Sequence, residues 1–199
     1  TVCDEYLRDG HDAPFCRFGY TGESSPCSAT MGESLGTMPT PEFILDLRRH
    51  IGTAPLWLAG ATLVCLRDGR DGPEVLLQRR ADNGLWALIS GIVEPGEHPI
   101  QCLEREAREE VGADVSVGRM LWCIVTPPAT YANGDQTQYL DQGYVGQVTG
   151  GELRPDHDET TDVGWFPVDD LPMPQHPRLA ASVQVALGAS SEVVASLDL

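Results

Sequence analysis

Three glutamates, Glu106, Glu109 and Glu110, fall within five residues of one another. On a helix Glu110 stands four residues after Glu106 and Glu109 three after it, so all three share one flank within a turn. Like charges held so close repel. A hard divalent cation relieves that repulsion, and Mg²⁺ takes oxygen ligands while keeping waters and substrate phosphate in its shell. Arg105, four residues before Glu109, is placed to pair with it and hold the carboxylate in one rotamer. Gly91 would let backbone pass close to such a helix, and Pro95-Gly96 turns the chain into it. Taken alone, residues 104–110 (EREAREE) read more readily as a solvated helix face than as a metal site.

The surrounding spacing reverses that reading. Gly91, Glu97, Arg105, Glu106, Glu109, Glu110 and Gly112 follow the order Gly, five residues, Glu, seven residues, Arg-Glu-aliphatic-x-Glu-Glu-x-Gly-aliphatic. At about one chance in twenty per fixed position, an accidental match to all seven is on the order of one in a billion. Residues 91–113 thus resemble the Nudix box, and a looser resemblance spreads over residues 55–175, through LLQRR before the box and VGWFPVDDLP after it. Two positions depart from the usual pattern. Leu88-Ile89-Ser90 precedes Gly91 where relatives commonly have Pro-Gly, and Ala113 stands where a larger aliphatic is usual. Neither touches a carboxylate.

The resemblance implies an α/β Nudix fold, an α/β/α sandwich around a mixed β-sheet. It implies a Mg²⁺-dependent hydrolase, with Mn²⁺ as a substitute ion, in which water attacks one phosphorus of a phosphoanhydride. Glu106, Glu109 and Glu110 are the implied metal ligands, with Glu97 as a further ligand or supporting residue and Arg105 as part of the catalytic machinery. The general base would be a box glutamate or a later one, for which Glu159 in the DHDETTD loop is the candidate beside the bland reading of a solvated acidic loop. Strand alternation sends one of Arg79 and Arg80 toward the substrate, with Arg80 preferred, and Gly91 lies on the same side. Trp86 and Tyr131 are candidates for base stacking, although such residues are more often simply packed.

The substrate implied is a small nucleotide-like diphosphate: a nucleoside triphosphate or a nucleoside diphosphate linked to another moiety, with ADP-ribose and nucleotide sugars as the narrower alternative. The NADH-cleaving subclass is disfavoured because its zinc ribbon needs paired cysteines, and Cys3, Cys16 and Cys27 lack that spacing. A non-catalytic regulatory domain would be expected to have lost box glutamates, and isopentenyl-diphosphate isomerisation needs a reactive Cys that has no evident place here. Losing activity in EDTA is the expected signature of the hydrolase.

The elements that must position these residues are legible around the box. Pro99 opens a helix whose apolar stripe is Ile100, Leu103, Ala107 and Val111, with the glutamates mostly opposite and Gly112 as the stop. Residues 56–67 and 74–80 read as a strand hairpin, and 86–88 as a further short strand. Strands are also expected at 119–126, 139–148 and 163–166, and a last helix at 177–187. Residues 1–39 lack periodicity and read as a flexible extension, 40–54 as a helix and linker, 55–188 as the hydrolase domain and 189–199 as a tail. The first helix, with Phe43, Ile44, Leu47, His50 and Ile51 on one face, supplies surplus apolar surface for a homodimer.

The 199 residues carry a formal charge of −17, which counts against a broad grip on nucleic acid. Neither a membrane span nor a signal peptide is evident, so the expected location is cytoplasmic. Cys65, Cys102 and Cys123 read as buried thiols.

Overall fold

The computed structural model describes residues 40–188 and 192–195, all within one compact unit, Ser34–Leu199. The expectations for residues 1–39 and for most of 189–199 lie outside the described residues. The elements are α1 (Glu42–Ile51), β1 (Leu56–Asp68), β2 (Pro73–Arg80), β3 (Trp86–Ala87), β4 (Ile89–Ile92), α2 (Pro99–Val111), β5 (Ala113–Val125), β6 (Ala129–Thr130), β7 (Gln136–Gly151), β8 (Thr160–Pro167) and α3 (Leu179–Leu187).

The sheet is mixed. β1 pairs parallel with β7 over ten residues, Leu56–Cys65 against Thr137–Gly146, and the other pairings are antiparallel. A strand covered on both faces reads as a continuous apolar run, which is why Leu63, Val64 and Cys65 of β1 are all fully buried. One core cluster joins Leu63, Leu76 and Ile89 of the sheet to Leu103, Ala107 and Val111 of α2. A second joins Val64, Leu77, Leu121 and Trp122 to Leu179 and Val183 of α3. Helices thus cover both faces of a mixed sheet, which is the α/β/α sandwich that the box implied.

Helix α2 forms where its pattern predicts, and both of its ends are tied. The Ile100 N–H donates to His98 Nδ1 at 3.2 Å and the His98 N–H to Gln101 Oε1 at 2.9 Å, satisfying donors that a helix start leaves unpaired. At the other end Gly112 takes φ 68°, and a Cβ there would also collide with the Glu152 carbonyl. Burying Leu103 and Val111 contributes roughly 1.5–3 kcal/mol each.

Several expectations need correcting. Residues 89–92, beyond the short strand expected at 86–88, form a strand of their own, β4, paired antiparallel with Gly60–Leu63, and Ile89 is buried in the core. Strands β5 and β7 are longer than expected because pairing carries on through bulges to Ala113 and Gly151. Of the α1 face read as surplus apolar surface, Ile44 is covered, while Leu47, His50 and Ile51 are exposed. Arg48 fastens this helix, donating to the Gly52, Ala54 and Gln136 carbonyls. Cys65 and Cys102 are buried free thiols as read, whereas Cys123 is only half-buried. Among the described residues, no helix is long and apolar enough to cross a membrane.

Candidate active site

Arg105 is the hub of the box. Its Nε donates to Glu97 Oε1 at 2.9 Å and one terminal nitrogen to Glu97 Oε2 at 3.1 Å, a two-point pairing that holds both planes together. The other terminal nitrogen donates to Glu106 Oε1 at 2.7 Å and reaches Glu109 Oε2 at 3.3 Å. The expected partner Glu109 is therefore the longest of the three contacts, and its side chain is 63% exposed. Glu97, read as a further ligand, has both oxygens engaged by Arg105, and Oε2 also accepts the Glu94 N–H.

Gly91 earns its place in the pattern by absence of a side chain. A Cβ there would lie well inside contact distance of Glu106 Oε1, Cδ and Cγ, so the β4 backbone and the Glu106 carboxylate meet face to face.

Glu110 is the residue that the helix pattern misplaced. It is only 2% exposed, turned inward rather than onto a solvated face. A buried carboxylate needs a donor. Gln78 of β2 provides one, Nε2 to Glu110 Oε2 at 2.8 Å, and the Gln78 Oε1 accepts the Thr160 hydroxyl. Sequence reading missed both partners. Their signal was a lone amide in the otherwise apolar VLLQ stretch of a buried strand.

The Glu159 loop closes against this group. Asp156 Oδ1 accepts the N–H groups of Asp158, Glu159 and Thr160, His157 adopts φ 68°, and the Ala81 N–H donates to the Glu159 carbonyl at 2.7 Å. Burial and the Asp156 charge raise Glu159 above the usual carboxylate range, with Arg80 opposing. Burial pushes Glu106 up to about 7 against the pull of Arg105, and Glu159 and Glu109 push it further. Glu110 lies well above the usual range through burial first and then the Glu106 charge. Glu97 would also be raised by burial, but the hydrogen bonds from Arg105 and the Glu94 N–H outweigh this and leave it low.

A carboxyl whose folded pKa exceeds its unfolded value binds more protons when folded, so it withdraws stability as pH rises between the two values. For Glu106 that window runs from its ordinary value of 4.5 to about 7. In EDTA, the Tm of the wild type is expected to fall more than that of Glu106→Gln between about pH 5 and pH 8. Parallel Tm curves for the two proteins would contradict it.

The two arginines of β2 divide as alternation requires. Arg79 is exposed and donates to the Gly84 carbonyl. Arg80 is half-buried, pairs through two bonds with Asp82, and lies close enough to Glu110, Glu159, Tyr131 and Tyr139 for its charge to be felt there. Trp86 is not poised for stacking: it is 9% exposed and meets Phe166 edge-on, with centroids 4.7 Å apart. Tyr131 is exposed, and its hydroxyl lies 3.0 Å from that of Tyr139.

These residues fit a hard divalent ion. The donor set is all carboxylate oxygen, and two of its members, the half-buried Glu106 and the buried Glu110, repel each other when ionised. Among the described residues, no three acidic, His or Cys side chains already converge as a closed cage. Glu106 and Glu109 turn to Arg105, and Glu110 to Gln78.

Comparison with known proteins bears on this geometry. The NUDIX domain family matches residues 57–185. The NAD-capped RNA hydrolase NudC of Stutzerimonas stutzeri (strain A1501) is 37% identical over 105 residues, covering 51% of this chain and 34% of that protein. Its namesake from Chromobacterium violaceum is 33% identical over 117 residues, covering 58% and 40%. The chain therefore matches well under half the length of these curated relatives. The fold is also that of a UDP-X diphosphatase, 20% identical with a TM-score of 0.55, covering 76% of this chain and 73% of that one. A family match across most of the sheet, with all seven box positions present and Glu97, Glu106 and Glu109 held by Arg105, means that this chain belongs to the Nudix hydrolase family.

Proposed function

We propose that this chain hydrolyses the phosphoanhydride bond of a nucleoside diphosphate linked to a second moiety, in a Mg²⁺-dependent reaction that Mn²⁺ also supports. The observation that carries the reading is the pairing of two adjacent carboxyls, the half-buried Glu106 and the buried Glu110, with Arg105 and Gln78 as their fixed donors. Glu106, Glu109 and Glu110 would hold Mg²⁺, whose chemistry there would be to offset negative charge on the anhydride and to ease deprotonation of the attacking water. Arg105 holds Glu106 and Glu109 in place, with Glu97 as its own anchor. Arg80 faces the carboxylates and offers positive charge to a phosphate. Glu159, with its raised pKa and its place beside the cluster, is suited to take the proton from the attacking water.

The substrate class leans on the relatives named for NAD-capped RNA, which reopen the NADH-cleaving subclass that the missing cysteine pairs disfavoured. The charge of −17 still counts against a grip on an RNA body by this chain, so a small dinucleotide is the proposed substrate rather than a long polyanion. The test is a panel of NAD, other dinucleotides, nucleotide sugars and nucleoside triphosphates with Mg²⁺, reading the released products. Cleavage between the phosphates of dinucleotides, lost in EDTA and restored by Mg²⁺ or Mn²⁺, is expected. Turnover that persists in EDTA would overturn the metal-dependent reading, and triphosphates outrunning every dinucleotide would overturn the substrate class.

A further inference from the structure

Gln78 interrupts the buried run of β2 and is itself only 1% exposed. Its amide is engaged at both ends, donating through Nε2 to Glu110 Oε2 and accepting the Thr160 hydroxyl at Oε1. Those contacts are directional. An ionised carboxylate can only accept, so Nε2 faces Glu110 and leaves Oε1 to accept the Thr160 hydroxyl, which holds the amide in that orientation. Thr160, fully buried, is in turn held through its own N–H to Asp156 Oδ1 at 2.8 Å, the oxygen that also gathers the Glu159 N–H.

The residue types suit that task. A leucine at position 78 would pack as well but leave Glu110 buried without its donor. A glutamate would add negative charge beside Glu106, Glu110 and Glu159. An amide donates at every pH and carries no charge.

We infer that Gln78 and Thr160 are positioning residues for the reaction, a relay that sets the Glu110 carboxylate in its metal-binding orientation and ties it to the loop bearing Glu159. This rests on the metal-dependent reading proposed above. Glu110 and Glu159 sit on separate elements, α2 and the segment entering β8; two side-chain hydrogen bonds lead from Glu110 through Gln78 to Thr160, and the backbone N–H groups of Thr160 and Glu159 both donate to Asp156 Oδ1. A partner that orients a ligating group typically changes metal affinity or turnover by about 10- to 100-fold when removed.

The full chain should be titrated with Mn²⁺, free ion read by EPR, for the wild type, Gln78→Met, Thr160→Val and Thr160→Ser, with kcat, KM and Tm measured on the same samples. Gln78→Met is expected to weaken Mn²⁺ binding by about 10- to 100-fold and to lower kcat with KM little changed. Thr160→Val should move both in the same direction by about fivefold, and Thr160→Ser, which keeps the hydroxyl, should recover most of that loss. Wild-type Mn²⁺ affinity and kcat in both Gln78→Met and Thr160→Val would overturn the relay while leaving the metal reading intact. A wild type that binds no Mn²⁺ would overturn both. Should Gln78→Met not fold, the Thr160 pair decides.

Discussion

Glu110→Gln is expected to lower kcat by about 10³-fold at saturating Mg²⁺, while the Tm measured in EDTA holds or rises. The two halves have one cause. Glu110 is a buried carboxyl beside the half-buried Glu106, and its charge is costly to the folded chain until a cation offsets it. The amide keeps the shape and still accepts from Gln78 Nε2, so packing is retained and the repulsion disappears. Without the charge, a cation loses one of its anionic ligands. Several kcal/mol of transition-state stabilisation depend on such a cation, and about 4 kcal/mol corresponds to three decades of rate. Glu109→Gln should lose less, since Glu109 is largely exposed and reaches Arg105 only at 3.3 Å. Steady-state kinetics with thermal denaturation on the same preparation measures both halves. Full activity in Glu110→Gln would sink the proposed mechanism.

How much of this was readable beforehand depends on how far apart the interacting residues lie. Helix α2 was legible because Leu103, Ala107 and Val111 repeat at helical spacing and Gly112 ends the run, all local signals. The box was legible because its seven letters sit at fixed intervals. The burial of Glu110 was not, since it comes from Gln78, 32 residues earlier in sequence, and helix periodicity cannot report on a strand packed across it. The same limit hid the Glu97 partnership. Position i+4 on a helix suggests Glu109 for Arg105, but the turn at Pro95-Gly96 folds Glu97 back from eight residues upstream with two good bonds, and geometry favours the fork over the single contact. Strand β4 was hidden because Ser90-Gly91 separates its two isoleucines, although Ser90 and Gly91 pair with Thr62 and Ala61 in the sheet. Trp86 looked available for stacking because the sequence does not show Phe166 packed beside it.

Gly91 offers the sharpest separation of site from scaffold. In Gly91→Ala the new methyl would collide with Glu106 Oε1, Cδ and Cγ, all at the movable end of a side chain, and with no backbone atom among its nearest neighbours. The backbone need not shift; the carboxylate must. Gly91 is paired with Ala61 in an ordinary strand, so alanine suits its backbone there. The expected result is a native-like Tm with kcat down by about 100-fold, the scale of losing a ligand's correct placement. Displacement of Glu106 should also break its 2.7 Å bond to Arg105 and leave Arg105 held mainly by Glu97. Mn²⁺ affinity should therefore fall together with kcat, while KM for the nucleotide changes little. If the variant instead unfolds several degrees lower with kcat unaltered in the folded fraction, the close approach of Gly91 is a packing feature of the strand and Glu106 is not the group whose position governs turnover.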